Sequence, residues 1–159
     1  MGCFVTQVPL RWADQDAYRH LNHARAVTVL EEARIDLFFD RAAEDGLGGF
    51  ADGLLVAELN VAYRRQVAYR STPLRVAMTV DETRAASFRI RYALHDGPGD
   101  DDPVAIDAWT RMAIYDLAAG RPRRLDPPER AFLARWAVTS PTNTTAPVPA
   151  APPAGEHSS

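Results

Sequence analysis

The chain has 159 residues, 47% of them apolar, with 18 basic against 21 acidic side chains and a formal net charge of −3. That length and apolar content suffice for one sizeable core, and the slight acidic excess argues against a nucleic-acid module, which relies on a basic face. The single Cys3 cannot close an intrachain disulfide and stands in no reactive motif, so an incidental role is expected for it; no long uncharged apolar run spans a membrane, and no apolar signal segment opens the chain. A reducing cytoplasm is the expected compartment.

Phe4 to Trp12 is rich in strand formers, with Pro9 indicating an edge or a bend. A polar turn from Ala13 to Leu21 follows, and Asn22 is a good N-cap for a helix running from His23 to about Ala43, a stretch without Gly or Pro. Ala26, Val29, Leu30, Ala33 and Leu37 form one stripe at helical spacing, and Val27, Ile35, Phe38 and Phe39 widen it until the helix must be wrapped on several sides. After a glycine-rich connection, Asp45 to Gly53, four strand patterns follow. They are Leu55–Tyr63, Leu74–Val80, Phe88–Leu94 and Val104–Ile114, each with apolar residues at period two. Asp126 to Glu129 opens a short helix to about Ala137, with two prolines suited to its first turn. The order β, long α, β-β-β-β predicts an α+β layer structure, an antiparallel sheet packed on a central helix. The domain is expected over residues 1–137, and 138–159, dominated by Pro, Thr, Ala and Ser, is expected to be a disordered tail.

The chemistry concentrates in Asp16-Ala-Tyr-Arg-His20-Leu-Asn22-His23 and the helix that follows, up to Glu31-Glu32-Ala33-Arg34. A carboxylate, an imidazole and an amide stand in a turn that runs directly into a helix start. There, unpaired N–H groups and a partial positive charge can polarise a carbonyl oxygen while the carboxylate attacks its carbon or activates water. This is an arrangement for acyl transfer or hydrolysis. Asp16 is also well placed as a simple turn residue, His20 as a packed turn histidine, Asn22 as the helix cap, and Glu31 as an ion-pair partner of Arg34 three residues on. Asp14, on the same turn, is expected to tolerate amidation far better than Asp16. The histidines and the lone cysteine show no metal-ligand spacing.

The block resembles the 4-hydroxybenzoyl-CoA thioesterase family, whose pattern is Asp, two residues, Gly-His-Val-Asn-Asn, a Tyr shortly after, and Glu-x-Ala-Arg. Asp16, His20, Leu21, Asn22, Glu31, Ala33 and Arg34 fall at the matching positions, and weaker matches at Tyr63-Arg-Arg-Gln-Val, Ser87-Phe88 and Gly120-Arg121-Pro122 extend the resemblance over roughly residues 4–137. The resemblance implies a hotdog fold, a five-stranded antiparallel sheet wrapped around the long helix, and hydrolysis of an acyl-CoA thioester. It also implies Asp16 as the essential carboxylate, with His20, Asn22, His23 (through its N–H) and Glu31 around it. Coenzyme A would enter as part of the substrate, with no other cofactor and no metal. Arg64, Arg65, Arg70 and Arg84 are candidates for its phosphates, Arg84 foremost because it precedes Ser87-Phe88. A thioester on an acyl carrier protein, a hydratase-like reaction, or acyl-thioester binding without catalysis are the alternatives. An unprotected sheet edge predicts a homodimer with the active site at its interface, with further pairing to a homotetramer open. Three positions depart from the pattern. Arg19 replaces the glycine, which removes glycine's access to positive φ and brings a cation towards Asp16. His23 replaces the second Asn. Ala26 replaces the Tyr, which should leave more room at the helix start.

Overall fold

The computed structural model describes residues 2–138, so the expected tail, apart from Val138, lies outside the described residues. Strand β1 (Phe4–Val8) is shorter than anticipated: the chain leaves it at Pro9 and makes a single 3-10 turn over Trp12–Asp14. The long helix begins at His23. It is α-helical to Ile35 (α1), passes through a π-helical turn over Asp36–Arg41, and ends in α2 (Ala42–Glu44). Gly46, at φ +78°, stops it: the N–H groups of Gly46 and Leu47 turn back onto the carbonyls of Ala43 and Ala42, the pattern of a helix end closed by a left-handed residue.

Strands β2 (Leu54–Tyr63), β3 (Leu74–Asp81), β4 (Ser87–His95) and β5 (Val104–Asp116) join β1 in an antiparallel sheet of order β1-β3-β4-β5-β2, and the two-residue β6 (Arg121–Pro122) pairs with the end of β5. Leu74, Val76, Met78 and Val80 of β3 and Phe88, Ile90, Tyr92 and Leu94 of β4 all point inward, as their period of two requires. They close on Ala26, Val29, Leu30, Ala33 and Leu37 of the helix. Phe38 meets Phe50 and Phe88 at ring-centroid distances of 5.2 and 5.3 Å, and Phe132 of α3 (Pro127–Arg135) completes this aromatic end of the core. Helix α3 starts as expected. Asp126 accepts from the Glu129 N–H while the Glu129 carboxylate accepts from the Asp126 N–H, and the buried Glu129 is also gripped by Arg123.

The one strand that does not bury its alternating residues is β2. Leu55, Leu59 and Tyr63 are all more than 40% exposed, as is Val56 from the opposite alternation. The reason is its place in the sheet: among the described residues β2 has β5 on one side and nothing on the other, and a register shift between Val56 and Glu58 turns its pleat.

Candidate active site

The segment 13–23 folds into a turn held by its own polar groups. The Asp16 N–H donates to the His20 carbonyl at 2.8 Å, and Oδ1 of Asp16 accepts from the N–H groups of Tyr18 (2.8 Å) and His20 (3.1 Å). Oδ2 accepts no hydrogen bond among the described residues. The His20 N–H leads the set that holds the Asp16 carboxyl below the ordinary carboxylate range; it outweighs a desolvation cost and is joined by the Tyr18 N–H and the nearby His20 ring. Arg19 forms no ion pair with Asp16. Arg19 keeps the left-handed conformation of the glycine it replaces, at φ +64°, for which a side chain costs roughly 1 kcal/mol.

The turn is fastened on both sides. The 66–69 segment holds it through two backbone bonds, Leu21 N–H to the Val67 carbonyl and Tyr69 N–H to the Arg19 carbonyl. Asp14 is buried, paired to Arg11 at 3.0 Å, and its carbonyl takes the Asn22 N–H. Amidating Asp14 would weaken its pairing with Arg11 and leave its backbone bond to Asn22 in place.

Asn22 caps α1: its side-chain oxygen accepts from Ala24 (2.9 Å) and Arg25 (3.4 Å), and its carbonyl takes the Ala26 N–H. Of the first helical N–H groups, that of His23 is left without a partner among the described residues. It stands at the positive end of the helix dipole, where a carbonyl oxygen would be received.

Asp16, His20 and His23 line one cavity of about 370 Å³ with Leu21, Val67 and Ile106 forming apolar wall and Arg64 and Arg65 at its side. Nδ1 of His20 is buried there without a hydrogen-bond partner. Tyr63 also lines it, and its hydroxyl donates to the His23 carbonyl at 2.7 Å, which pins the ring across the helix start. Sequence reading gave Tyr63 no role; its place in a weakly matching strand end was the available signal. The room anticipated at Ala26 is absent, because Ala26 is fully buried.

Other candidates lie elsewhere. Glu31 is exposed, 3.9 Å from Arg34, and lines a separate groove of about 290 Å³ with Phe38, Phe39, Leu54 and Met112, two helical turns from His23. In that groove Arg34 is buried and donates to the Tyr92 hydroxyl, which pairs with Thr110. Arg84 is exposed in the β3–β4 turn beside Glu82. That turn adjoins Ser87, whereas Ile106 of the cavity pairs with Leu94 at the far end of β4, about 23 Å away at 3.3 Å per residue. Within one chain, Arg84 stands well away from this cavity. Arg64 is tied to Asp107 at 2.9 Å and Arg70 to Asp96, while Arg65 has no acidic partner among the described residues. No cluster of ligating side chains suited to a metal occurs among the described residues.

Comparison with known proteins bears on this geometry. Residues 10–150 match the family model described as the thioesterase-like superfamily. In structure the chain is similar to a probable thioesterase, YbaW, from Escherichia coli, with 24% identity over 84% of this chain and 98% of that one and a TM-score of 0.66. It is also similar to a thioesterase from Thermus thermophilus complexed with coenzyme A and zinc (21% identity, 83% and 92% covered, TM-score 0.67). A third likeness is to Slr0204, a 1,4-dihydroxy-2-naphthoyl-CoA thioesterase from Synechocystis (15% identity, 84% and 96% covered, TM-score 0.68). No protein of curated function matches the chain in sequence. At these identities the structural likenesses speak to the fold, the hotdog arrangement of a curled antiparallel sheet around one long helix.

Proposed function

The chain belongs to the thioesterase-like superfamily, and from that premise we propose that it hydrolyses an acyl thioester carried on a phosphopantetheine arm, that of coenzyme A, to the free acid and the thiol. The observation that carries the reading is the meeting, in one cavity, of the Asp16 carboxylate and an unpartnered helix N-terminal N–H at His23. In this reading the thioester oxygen accepts from the His23 N–H, and negative charge that develops on it is stabilised by the helix end. The free Oδ2 of Asp16 attacks the carbonyl carbon, the C–S bond breaks, and the thiolate takes a proton from solvent or from His20. Water then cleaves the acyl-aspartyl anhydride and restores the carboxylate. The depressed Asp16 pKa keeps the carboxylate ionised, as either direct attack or activation of water requires. Arg65, and Arg64 where Asp107 releases it, would meet the arm's phosphates. The reading includes a homodimer built on the open β2 edge and a cytoplasmic setting. No helix among the described residues is long and apolar enough to cross a membrane.

Asp16→Asn tests it. The amide keeps an oxygen for the Tyr18 and His20 N–H groups, so the melting temperature should hold while turnover of acyl-CoA thioesters, followed by thiol release, falls by about 10² or more. Near-normal turnover in this variant would remove the mechanism. Tight acyl-CoA binding with no turnover by the wild type would make the chain a binding protein.

A further inference from the structure

Arg34 is the one charged side chain of α1 that the fold buries, and only 10% of that side chain is exposed. A guanidinium carries five N–H donors and cannot shed its charge, so burial leaves it in need of acceptors and of a counter-charge. Among the described residues it has little of either. One N–H donates to the Tyr92 hydroxyl at a long 3.3 Å, and that hydroxyl already shares a 2.8 Å bond with Thr110. The nearest carboxylate, Glu31, stands 3.9 Å off, accepts no hydrogen bond from Arg34 and is 60% exposed, so water screens the pair. The two buried carboxylates are answered far better, Glu129 by Arg123 at 2.6 Å and Asp14 by Arg11 at 3.0 Å.

The surroundings of Arg34 make this more than a loosely satisfied core residue. It opens into the groove of about 290 Å³ whose other walls, Glu31 apart, are apolar. Ile35 and Phe39 of the helix and Leu55 and Val56 of β2 all line that groove, and each is between 39 and 47% exposed. Large apolar side chains left open around a buried charge describe a container without its contents. The helix also departs from α geometry here, in the π-helical turn over Asp36–Arg41 that carries Phe38 and Phe39 to the groove, and turns of this kind recur at functional sites.

We propose that this groove receives the far end of the acyl group, and that Arg34 selects an acyl group ending in a carboxylate, the half-thioester of a dicarboxylic acid. The inference rests on the hydrolase and dimer reading above and deepens it by naming the substrate class. Pairing two β2 strands antiparallel about their common centre sets Leu54, at the groove, opposite Tyr63 of the partner subunit. An acyl chain whose thioester lies at Asp16 of one subunit then runs into the groove of the other. A carboxylate fits the guanidinium fork with two parallel N–H···O bonds and supplies the missing charge, whereas a hydroxyl brings no charge. The apolar walls take the methylene spacer.

The test uses coenzyme A half-thioesters of adipic, suberic and sebacic acid, each beside its own methyl ester. An apolar groove without a paired cation would favour the ester, because the carboxylate must lose its water. In the wild type the carboxylate should instead lead at one chain length by about tenfold or more in kcat/KM, and a wild type that prefers the ester at every length overturns the proposal. Arg34→Gln should cost the carboxylate about tenfold and the ester less than about threefold, with Arg34→Lys between, since it keeps the charge and loses the fork. Equal losses on both substrates would make Arg34 structural. Coexpressed Asp16→Asn and Arg34→Gln chains test the path between subunits: about half the dimers are mixed, each with one intact pair, so about a quarter of the wild-type rate on the carboxylate should return. No recovery overturns the shared site. Turnover of no thioester at all, neutral or charged, would remove the hydrolase reading alone. Calorimetric titration of the wild type with suberyl-coenzyme A and its methyl ester then decides: tighter binding of the carboxylate supports the proposal, and equal, weaker or no binding overturns it.

Discussion

At Asp16 the two carboxylate oxygens have different company. Oδ1 closes the turn by taking two backbone N–H groups, and Oδ2 is free in the cavity. The turn role, and the catalytic role proposed for Asp16, which compete when only the sequence is in view, can therefore be held by one side chain. The same bonds lower its pKa, which sets a pH prediction. A group with a depressed folded-state pKa stays ionised as pH falls, down to that value. With Asp16 as the essential anion, kcat/KM should stay level from pH 7 to about pH 4 and decline only below the ordinary Asp value near 3.9. A decline centred near pH 6.5 would instead report a histidine as the required base. His20 and His23 enter the cavity as the motif spacing suggests, and the His23 N–H expected to receive a carbonyl is left free because Asn22 caps the next two residues.

Among the elements, α3 shows how a short helix is secured. Pro127 and Pro128 suit its first turn, and Glu129 closes a capping box while fully buried. Burial alone would raise the Glu129 pKa; the Arg123 guanidinium and the Asp126 N–H overcome it and lower it. Because the folded-state pKa is depressed, the stabilisation is present above the unfolded value of about 4.3 and is lost as pH falls through the folded one. Glu129→Gln should then destabilise the protein by about 2 kcal/mol at pH 7 in urea titrations, by weakening a charged, buried network, with the deficit shrinking towards pH 3. A deficit independent of pH would mean that packing, not charge, was lost. The capping box and the central helix are local patterns and were readable in the chain. The π-helical turn at Asp36–Arg41 carries no comparable signal: the same apolar stripe would run through an unbroken α-helix.

Of the sheet's two edges among the described residues, the one at β2 carries the larger set of exposed apolar side chains. Strand β2 leaves its backbone edge unpaired and Leu55, Val56 and Leu59 in solvent, beside the groove that holds Glu31. An antiparallel pairing of two β2 strands about their centre would face Leu54 with Tyr63 of the partner subunit, laying the Glu31 groove of one copy against the other copy's Asp16 cavity. Light scattering should accordingly give twice the 17.5 kDa chain mass, and Leu59→Lys should yield monomers with turnover reduced at least about tenfold. A fully active monomer would contradict this. What the sequence by itself determined are the features with a short-range physical cause. Periods of 3.6 and 2 gave the helix and the inward faces of β3 and β4, Asn22 and Asp126 marked helix starts, and the spacing from Asp16 to Arg34 indicated the reaction class. Tertiary structure alone decided that β2 is an edge, that Arg84 and Glu31 stand away from Asp16 within one chain, and that Tyr63 reaches the helix start. These depend on which strands neighbour which, and strand order is settled by contacts between residues far apart in sequence, for which no local pattern carries a signal.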